Sequence, residues 1–179
     1  MALRYALLGS LAEQPRTGYA LVKHFEQSLA YAWPASHSQI YPELARLLDE
    51  GLIEQAGSGA RNSKTYAITE SGLDEIRHWL RDTTPDRRVR SDAALRGFFL
   101  WLLEPVEAER QLAGERAYWQ GVLDEFLRIR DEPTGHNKKA RTLRIALAGG
   151  IRTVEARVAW LDEAIAEIRS PAWAELDPG

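Results

Sequence analysis

The stretch SHSQIYPELARLLDEGLIEQAGSGARNSKTYAI, residues 36–68, decides the fold of this chain. Its first part places four apolar side chains at the i, i+4, i+7 and i+8 spacing of one buried helical face: Ile40, Leu44, Leu47 and Leu48. Glu50-Gly51 predicts the end of this helix, because glycine is favoured just after a last helical turn. The opposite face and the first turn carry hydrogen-bonding side chains that form no catalytic grouping.

The second part of the stretch predicts a two-stranded hairpin. Residues 52–56 and 64–68 predict the strands, and residues 57–63 predict a small, flexible tip. Arg61 and Lys64 make this hairpin cationic, and it contains no acid from Gly57 onward. A helix with an exposed polar face beside a cationic hairpin tip is typical of a winged-helix DNA-binding module. In such a module the helix enters the major groove and the tip contacts the backbone.

The remainder of the chain predicts helices. Thr17 and Thr69 are candidate N-caps of two helices that flank the stretch, and with an N-terminal helix they complete a winged helix-turn-helix domain over residues 1–82. Residues 83–90 carry one proline and three arginines and predict a linker. Residues 91–179 predict a helical dimerisation and effector domain. The expected fold class is therefore mainly α, with a two-stranded wing.

The last predicted helix has the most regular apolar pattern in the chain. Its apolar residues are spaced alternately by four and three: Leu147, Ile151, Val154, Val158, Leu161, Ile165 and Ile168. This heptad seam requires a partner helix, and we expect a second copy of the chain to supply it. Further candidate dimer contacts are Leu3, Leu7, Leu95, Phe98 and Phe99.

Composition limits the classes of function. The net charge of −3 and the pI near 5.9 are not the basic footprint usual for DNA-binding modules, and residues 1–82 hold eight Lys or Arg against ten Asp or Glu. Any positive face must therefore be local. The absence of cysteine excludes disulfides and thiolate metal sites. Without a signal peptide or an apolar run of roughly 18 residues, the chain is expected in the cytoplasm and not in a membrane.

Several separate pieces resemble the PadR family of bacterial transcriptional regulators. They are YALLG at 5–9, TGY at 17–19, SQIYPEL at 38–44, EGLI at 50–53, KTY at 64–66 and ITESG at 68–72. Residues 143–161 are similar to the family's C-terminal helical domain of the virulence-activator type. The resemblance implies a homodimer that binds a pseudo-palindromic operator in double-stranded DNA, usually as a repressor. In some members a small molecule releases the DNA.

The candidate DNA contacts centre on the predicted recognition helix, whose N-terminal residues reach base edges in such modules. Gln39 is the best candidate for reading adenine, because its amide offers a donor and an acceptor at bidentate spacing. Ser36, Ser38 and Gln39 fit both helix capping and base reading. Tyr41 either donates to phosphate or packs beneath the wing. The full candidate set is Thr17, Tyr19, Ser36, His37, Ser38, Gln39, Tyr41, Arg46, Arg61, Asn62, Ser63 and Lys64.

The helical half allows a weaker hypothesis. Trp101, Trp119 and Trp160 either fill the core or line a pocket for a small aromatic effector. The four histidines show no metal-ligand spacing, and no nucleophile motif or phosphate-binding glycine loop is present, so we expect neither a cofactor, a metal nor an enzyme. Two alternatives remain open at this stage: a winged-helix protein-interaction module, and a small-molecule binding or carrier protein without DNA binding.

Overall fold

The computed structural model describes residues 2–26, 33, 35–58, 64–87, 91–133 and 135–175. They form two compact units, residues 1–87 and 88–179, and the boundary falls inside the segment predicted as a linker. The first unit contains α1 (Ala2–Glu13), β1 (Arg16–Thr17), α2 (Gly18–His24), α3 (His37–Asp49), β2 (Ile53–Ser58), β3 (Lys64–Ile68) and α4 (Glu70–Asp82). The second contains α5 (Asp92–Gly97), a 3₁₀ turn (Leu100–Leu102), α6 (Pro105–Asp131), α7 (Lys138–Ile168) and α8 (Pro171–Ala174).

The core of the first unit confirms the apolar stripes predicted from the sequence. Ile40, Leu44 and Leu47 of α3 are fully buried, and they pack with residues of the two preceding helices: Leu7, Leu8, Leu11, Leu21, Val22 and Phe25. The helix-turn-helix is thus held by side chains that all point inward. One sequence expectation is wrong here, because Leu7 is 0% exposed in this core and has no surface to offer a second chain. Leu3 packs partly buried against the same core.

The sheet has three strands in the order β1-β3-β2, all antiparallel. The hairpin of β2 and β3 forms the predicted wing. The short strand β1 pairs Arg16 with Tyr66 and Thr17 with Thr65, and the sequence-based expectation of two strands missed it. Two residues are too few to show an alternating pattern, which is the signal that strand prediction depends on.

A glycine ends α3 and redirects the backbone toward the first wing strand, β2. Gly51 has φ +71, in the left-handed region. The Leu52 N–H donates to the Leu47 carbonyl at 2.9 Å, and the Gly51 N–H donates to the Leu48 carbonyl at 3.0 Å. These two bonds are a Schellman motif, so the predicted stop after Glu50 is confirmed with its mechanism.

Thr17 and Thr69 are N-caps, as predicted. Thr17 Oγ1 accepts from the Ala20 N–H at 3.1 Å. Thr69 Oγ1 accepts from the Gly72 N–H at 3.1 Å and also donates to the Gly51 carbonyl at 2.8 Å. The second bond ties the base of the wing to the end of α3.

The last helix of the first unit packs back onto α1. The rings of Tyr5 and Trp79 stack with their centroids 4.6 Å apart and 7° between their planes. The Tyr5 hydroxyl donates to Glu75 Oε1 at 3.2 Å. Burial raises the pKa of the Tyr5 phenol, and the hydrogen bond to Glu75 raises it further. These contacts hold α4 against α1.

In the second unit, α6 and α7 form an antiparallel hairpin. The heptad seam of α7 is buried against α6 of the same chain: Ile151, Val154, Val158, Leu161, Ile165 and Ile168 are all at most 8% exposed, and Leu147 packs partly buried beside them. The expectation that this seam meets a second copy is therefore wrong. The seam does have a partner helix, but the partner is the preceding one, since Pro105 opens an α6 long enough to cover it.

Gly72→Ala should destabilise the first unit. A Cβ at this position would lie 2.1 Å from the Leu52 carbonyl oxygen, a backbone atom that cannot rotate away. We expect a loss of about 1–3 kcal/mol in the free energy of unfolding, measured by urea denaturation.

Gly9→Ala is the matched control for this substitution. It also adds a methyl group to a helix of the first unit, but the nearest atom would be Ile76 Cδ1 at 3.4 Å. It should change the free energy of unfolding by less than about 1 kcal/mol. Equal stabilities of the two variants would contradict the role given to Gly72.

Candidate nucleic-acid interface

The first turn of α3 presents a continuous polar surface. Ser36, His37, Ser38 and Gln39 are all exposed, whereas the next residue, Ile40, is fully buried. The burial of Ile40 and Leu44 on one side of α3 fixes which residues face outward. The predicted reading residues are therefore brought together on one accessible end of one helix.

Gln39 and Ser36 cap this helix. The Ser36 backbone N–H donates to Gln39 Oε1 at 3.0 Å, and the Ser36 hydroxyl donates to the same oxygen at 3.1 Å. The Ser36 and Ser38 hydroxyls are 2.8 Å apart. Gln39 Oε1 is thus already engaged, and a bidentate contact with a base requires it to release Ser36.

Tyr41 lies against the start of α2. A Cβ on Gly18 would meet Tyr41 Cε1 at 2.7 Å, so only glycine leaves room for this ring. The ring remains 45% exposed, and its centroid lies 6.3 Å from that of His37. Tyr41 therefore joins α2 and α3 at the surface that the reading residues occupy.

The start of α2 contributes further exposed residues to the candidate interface. Tyr19 is 59% exposed, and the Lys23 ammonium lies 5.4 Å from its ring centroid. Sequence reasoning missed Lys23, although its i+4 spacing from Tyr19 places it on the same helical face. The Thr17 hydroxyl is engaged as the N-cap, so a phosphate would meet the backbone N–H groups of this helix end instead.

Two further predicted cations are exposed. Lys64 begins β3 at the wing, and Arg46 pairs with Glu43 at 3.2 Å while its own side chain stays 71% exposed. The predicted contacts Arg61, Asn62 and Ser63 lie outside the described residues. The candidate interface therefore carries only a few described cations, Lys23, Arg46 and Lys64, on a chain with a net charge of −3.

The three tryptophans predicted as effector contacts do not line one pocket. Trp119 and Trp160 line an open cavity of about 680 Å³ between α5, α6 and α7, whereas Trp101 lines an adjoining one of about 220 Å³ that shares Gly97, Leu100 and Leu112 with it. In the larger cavity, the Arg157 guanidinium lies 4.3 Å from the Trp119 ring centroid. Trp119 Nε1 donates to a Glu115 carboxylate oxygen at 3.3 Å.

Within the described part of the chain, His, Asp and Glu side chains form no cluster able to hold a metal ion. The same residues include no helix whose length and apolar content would let it span a bilayer.

The fold and this surface define a winged helix-turn-helix protein. Residues 7–78 match the model of the transcriptional regulator PadR-like family, and residues 89–169 match the virulence activator alpha C-terminal model. The chain is 30% identical to the negative transcriptional regulator PadR of Bacillus subtilis, over 93% of this chain and 97% of that protein. It is 32% identical to a probable transcriptional regulator of Mycobacterium tuberculosis, over 91% and 95% respectively.

Solved structures agree with these matches. Bacillus subtilis PadR in complex with operator DNA superposes with a TM-score of 0.82 at 28% identity, covering 94% of this chain and 99% of that one. The same protein in complex with p-coumaric acid gives 0.79 at 28% identity, covering 95% and 100%. This chain belongs to the PadR-like family of transcriptional regulators.

Gln39→Ala should shorten or fray the start of α3. It removes the oxygen that accepts from the Ser36 N–H, and we expect a loss of about 0.3–1.5 kcal/mol in the free energy of unfolding by urea denaturation. Gln39→Glu keeps an acceptor oxygen at a helix N-terminus, where negative charge is favourable, and should retain the stability. A larger loss for Glu than for Ala would contradict the capping role.

Proposed function

We propose that this chain is a cytoplasmic, homodimeric repressor that binds a pseudo-palindromic operator and is released by a small aromatic effector, with no catalytic reaction. The observation that carries the proposal is the exposed polar first turn of α3, held outward by buried Ile40 and Leu44, in the same unit as the exposed wing cation Lys64. The operator complex of Bacillus subtilis PadR supports it, because that chain superposes on nearly all of this one.

The dimer needs a surface other than the buried α7 seam. Large apolar side chains are exposed in one continuous segment of the second unit: Leu95, Phe98, Phe99, Trp101, Leu102, Leu103 and Val106 are 38–76% exposed. Such a segment marks an interaction site. A second copy of the chain fits best, because two recognition helices related by a two-fold axis would match half-sites about 34 Å apart. Of the predicted dimer contacts, Leu95, Phe98 and Phe99 belong to this segment.

Gln39→Glu should weaken operator binding without reducing the stability of the fold. It keeps the cap but removes the amide donor and adds a charge that phosphates repel. We expect operator affinity to fall at least about tenfold, which is the loss of one good base contact, while the unfolding curve stays in place. The operator is first obtained by selection from random duplexes, and affinity is measured by fluorescence anisotropy. Failure to select any duplex would favour the protein-interaction alternative.

Lys64→Ala should reduce the salt dependence of operator binding. Each phosphate neutralised contributes roughly −0.9 to the slope of log K against log salt concentration, so the loss of one wing contact per protomer should make the slope shallower by about 2 per dimer. Arg110→Ala, which removes an exposed cation from α6, is the control and should leave the slope unchanged. Identical slopes for the wild-type protein, Lys64→Ala and Arg110→Ala would show that Lys64 of the wing does not contact a phosphate.

The effector part of the proposal rests on the larger cavity. The Arg157 guanidinium lies over the Trp119 ring, and the half-exposed Trp160 lines the same cavity, an arrangement that suits a planar ring carrying a negative group. The p-coumaric acid complex of Bacillus subtilis PadR supports an aromatic acid as the first probe.

p-Coumaric acid should quench the tryptophan fluorescence of this protein in a saturable manner and weaken operator binding. Arg157→Ala should reduce the affinity for the acid, because it removes a cation that lines the cavity, whereas Arg110→Ala, which removes an exposed cation of α6 outside the lining, should not. Isothermal titration calorimetry gives both affinities. Equal loss in the two variants would place the ligand elsewhere.

A further inference from the structure

Among the described residues that line the larger cavity of the second unit, four are charged and their charges cancel. The cations are Arg96 and Arg157, and the acids are Asp92 and Glu115. The α5 helix supplies Arg96 and Asp92, whereas α6 and α7 supply the other two. Since the lining has no net positive charge, its affinity for an anion depends on how each cation is already engaged.

Arg157 and Glu115 are arranged around the same tryptophan. The Arg157 guanidinium lies 4.3 Å from the Trp119 ring centroid, and Glu115 accepts a hydrogen bond from Trp119 Nε1 at 3.3 Å. With the described residues, Arg157 makes no ion pair within 4.0 Å. A guanidinium that lies over an aromatic face can still donate from the N–H groups at its edge. Arg157 is therefore already available to a negative group.

Arg96 is engaged, but by a weak partner. Its Nε donates to Asp92 Oδ2 at 2.7 Å, one turn earlier on the same helix. The two side chains are 69% and 77% exposed. An exposed pair of this spacing adds little stability, because water competes for both charges. When the pair opens, Asp92 is hydrated without any burial cost, so Arg96 can exchange partners easily.

The walls of this cavity are held unequally. Two buried apolar clusters join α6 to α7, and Arg116 of α6 donates to Asp162 of α7 at 2.6 Å and 3.2 Å. By contrast, α5 contains no buried residue, and only Leu100, beyond its end, packs partly buried against one of the clusters. The α5 helix is therefore the wall that a bound ligand can attach more firmly.

We propose that the carboxylate of a bound aromatic acid takes Arg96 from Asp92 and is then held between Arg96 of α5 and Arg157 of α7. This inference rests on the proposed effector site and names the residue that makes the site select acids. While Asp92 holds Arg96, Arg157 alone can receive the negative group. The bound acid thus attaches α5 to the α6–α7 hairpin.

The hydrogen-bonding capacity of Arg96 favours this exchange. With the described residues, its guanidinium uses only the Nε–H, so its terminal N–H groups are unused. A carboxylate in the cavity can accept from two N–H groups of one guanidinium at once, which is a stronger contact than a single bond. The second cation, Arg157, offsets the repulsion between the carboxylate and the nearby acids of the lining.

Two substitutions in α5 should change the affinity for p-coumaric acid in opposite directions. Arg96→Ala removes a charged donor and should weaken binding about tenfold in isothermal titration calorimetry. Asp92→Asn removes the competing carboxylate and should strengthen binding about twofold. Arg96→Lys keeps the charge without the planar fork and should give an intermediate affinity.

A second arginine pair supplies the matched controls. Arg128 pairs with Glu125 three residues earlier on α6, and neither residue lines the cavity. Arg128→Ala and Glu125→Gln therefore remove the same kinds of group from an exposed helical pair. Both should leave the affinity for the acid unchanged.

The methyl ester of p-coumaric acid separates the charge contact from the shape of the cavity. It keeps the aromatic ring but carries no negative charge. The wild-type protein should bind it more weakly than the acid, and neither Arg96→Ala nor Asp92→Asn should change its affinity. Comparing the two ligands across the variants gives the coupling between the carboxylate and Arg96.

Hydrogen exchange measures the attachment of α5. Saturation with the acid should slow exchange in peptides that cover residues 92–97 by about fivefold, because the ligand holds a helix that has no buried residue of its own. The ester should slow it less. Peptides from the last turns of α7, which are buried against α6 in either case, should exchange at unchanged rates.

The outcomes distinguish this inference from the proposed effector site. Opposite effects of Arg96→Ala and Asp92→Asn on the acid, with no effect on the ester, support the exchange. Equal weakening of acid and ester by Arg96→Ala would overturn it, since Arg96 would then only shape the cavity. Unchanged acid affinity in both α5 variants, with a loss in Arg157→Ala, would overturn it and leave the effector site intact. A wild-type protein that binds no acid would overturn both.

Discussion

Burial of one face of α3 is the constraint on which the candidate interface depends. Ile40, Leu44 and Leu47 lose all contact with solvent in a core built by α1 and α2, and each such side chain contributes roughly 1.5–3 kcal/mol on burial. Since α3 cannot rotate without exposing them, its polar first turn has one possible orientation. The position of the wing is fixed relative to α3, because Gly51 and Thr69 join the end of α3 to the strands and to α4.

Local patterns predicted the first unit well. The apolar stripe of α3, the stop at Gly51 and the caps at Thr17 and Thr69 each depend on residues close in sequence, and the structure confirms them. Strand β1 was missed because its pairing with β3 joins residues about fifty positions apart and leaves no local signal. The engagement of Gln39 Oε1 by Ser36 was foreseen only as an alternative to base reading, and the two uses compete for one atom.

In the second unit, sequence periodicity was not sufficient to identify the partner of α7. The heptad seam of α7 correctly indicated a partner helix, but periodicity cannot say whether that partner belongs to the same chain. Here α6 supplies it, since the two helices run antiparallel over most of their lengths and bury two apolar clusters between them. The assignment of Leu147 to Ile168 as a dimer contact failed for this reason. In the exposed apolar segment of residues 95–106, Leu95, Phe98 and Phe99 were predicted from the sequence, and the remaining residues are identified only by their accessibility in the folded chain.

The proposed use of Gln39 as both helix cap and base reader has a consequence for target discrimination. To form two hydrogen bonds with a base, the Gln39 amide must release its hydrogen bonds from Ser36. The N-terminus of α3 then loses a cap worth about 0.3–1.5 kcal/mol. Only a base that returns two good hydrogen bonds compensates for that loss. A mismatched base would leave the Gln39 side chain bonded to Ser36, so the proposed base contact implies an energetic threshold against non-cognate sequences.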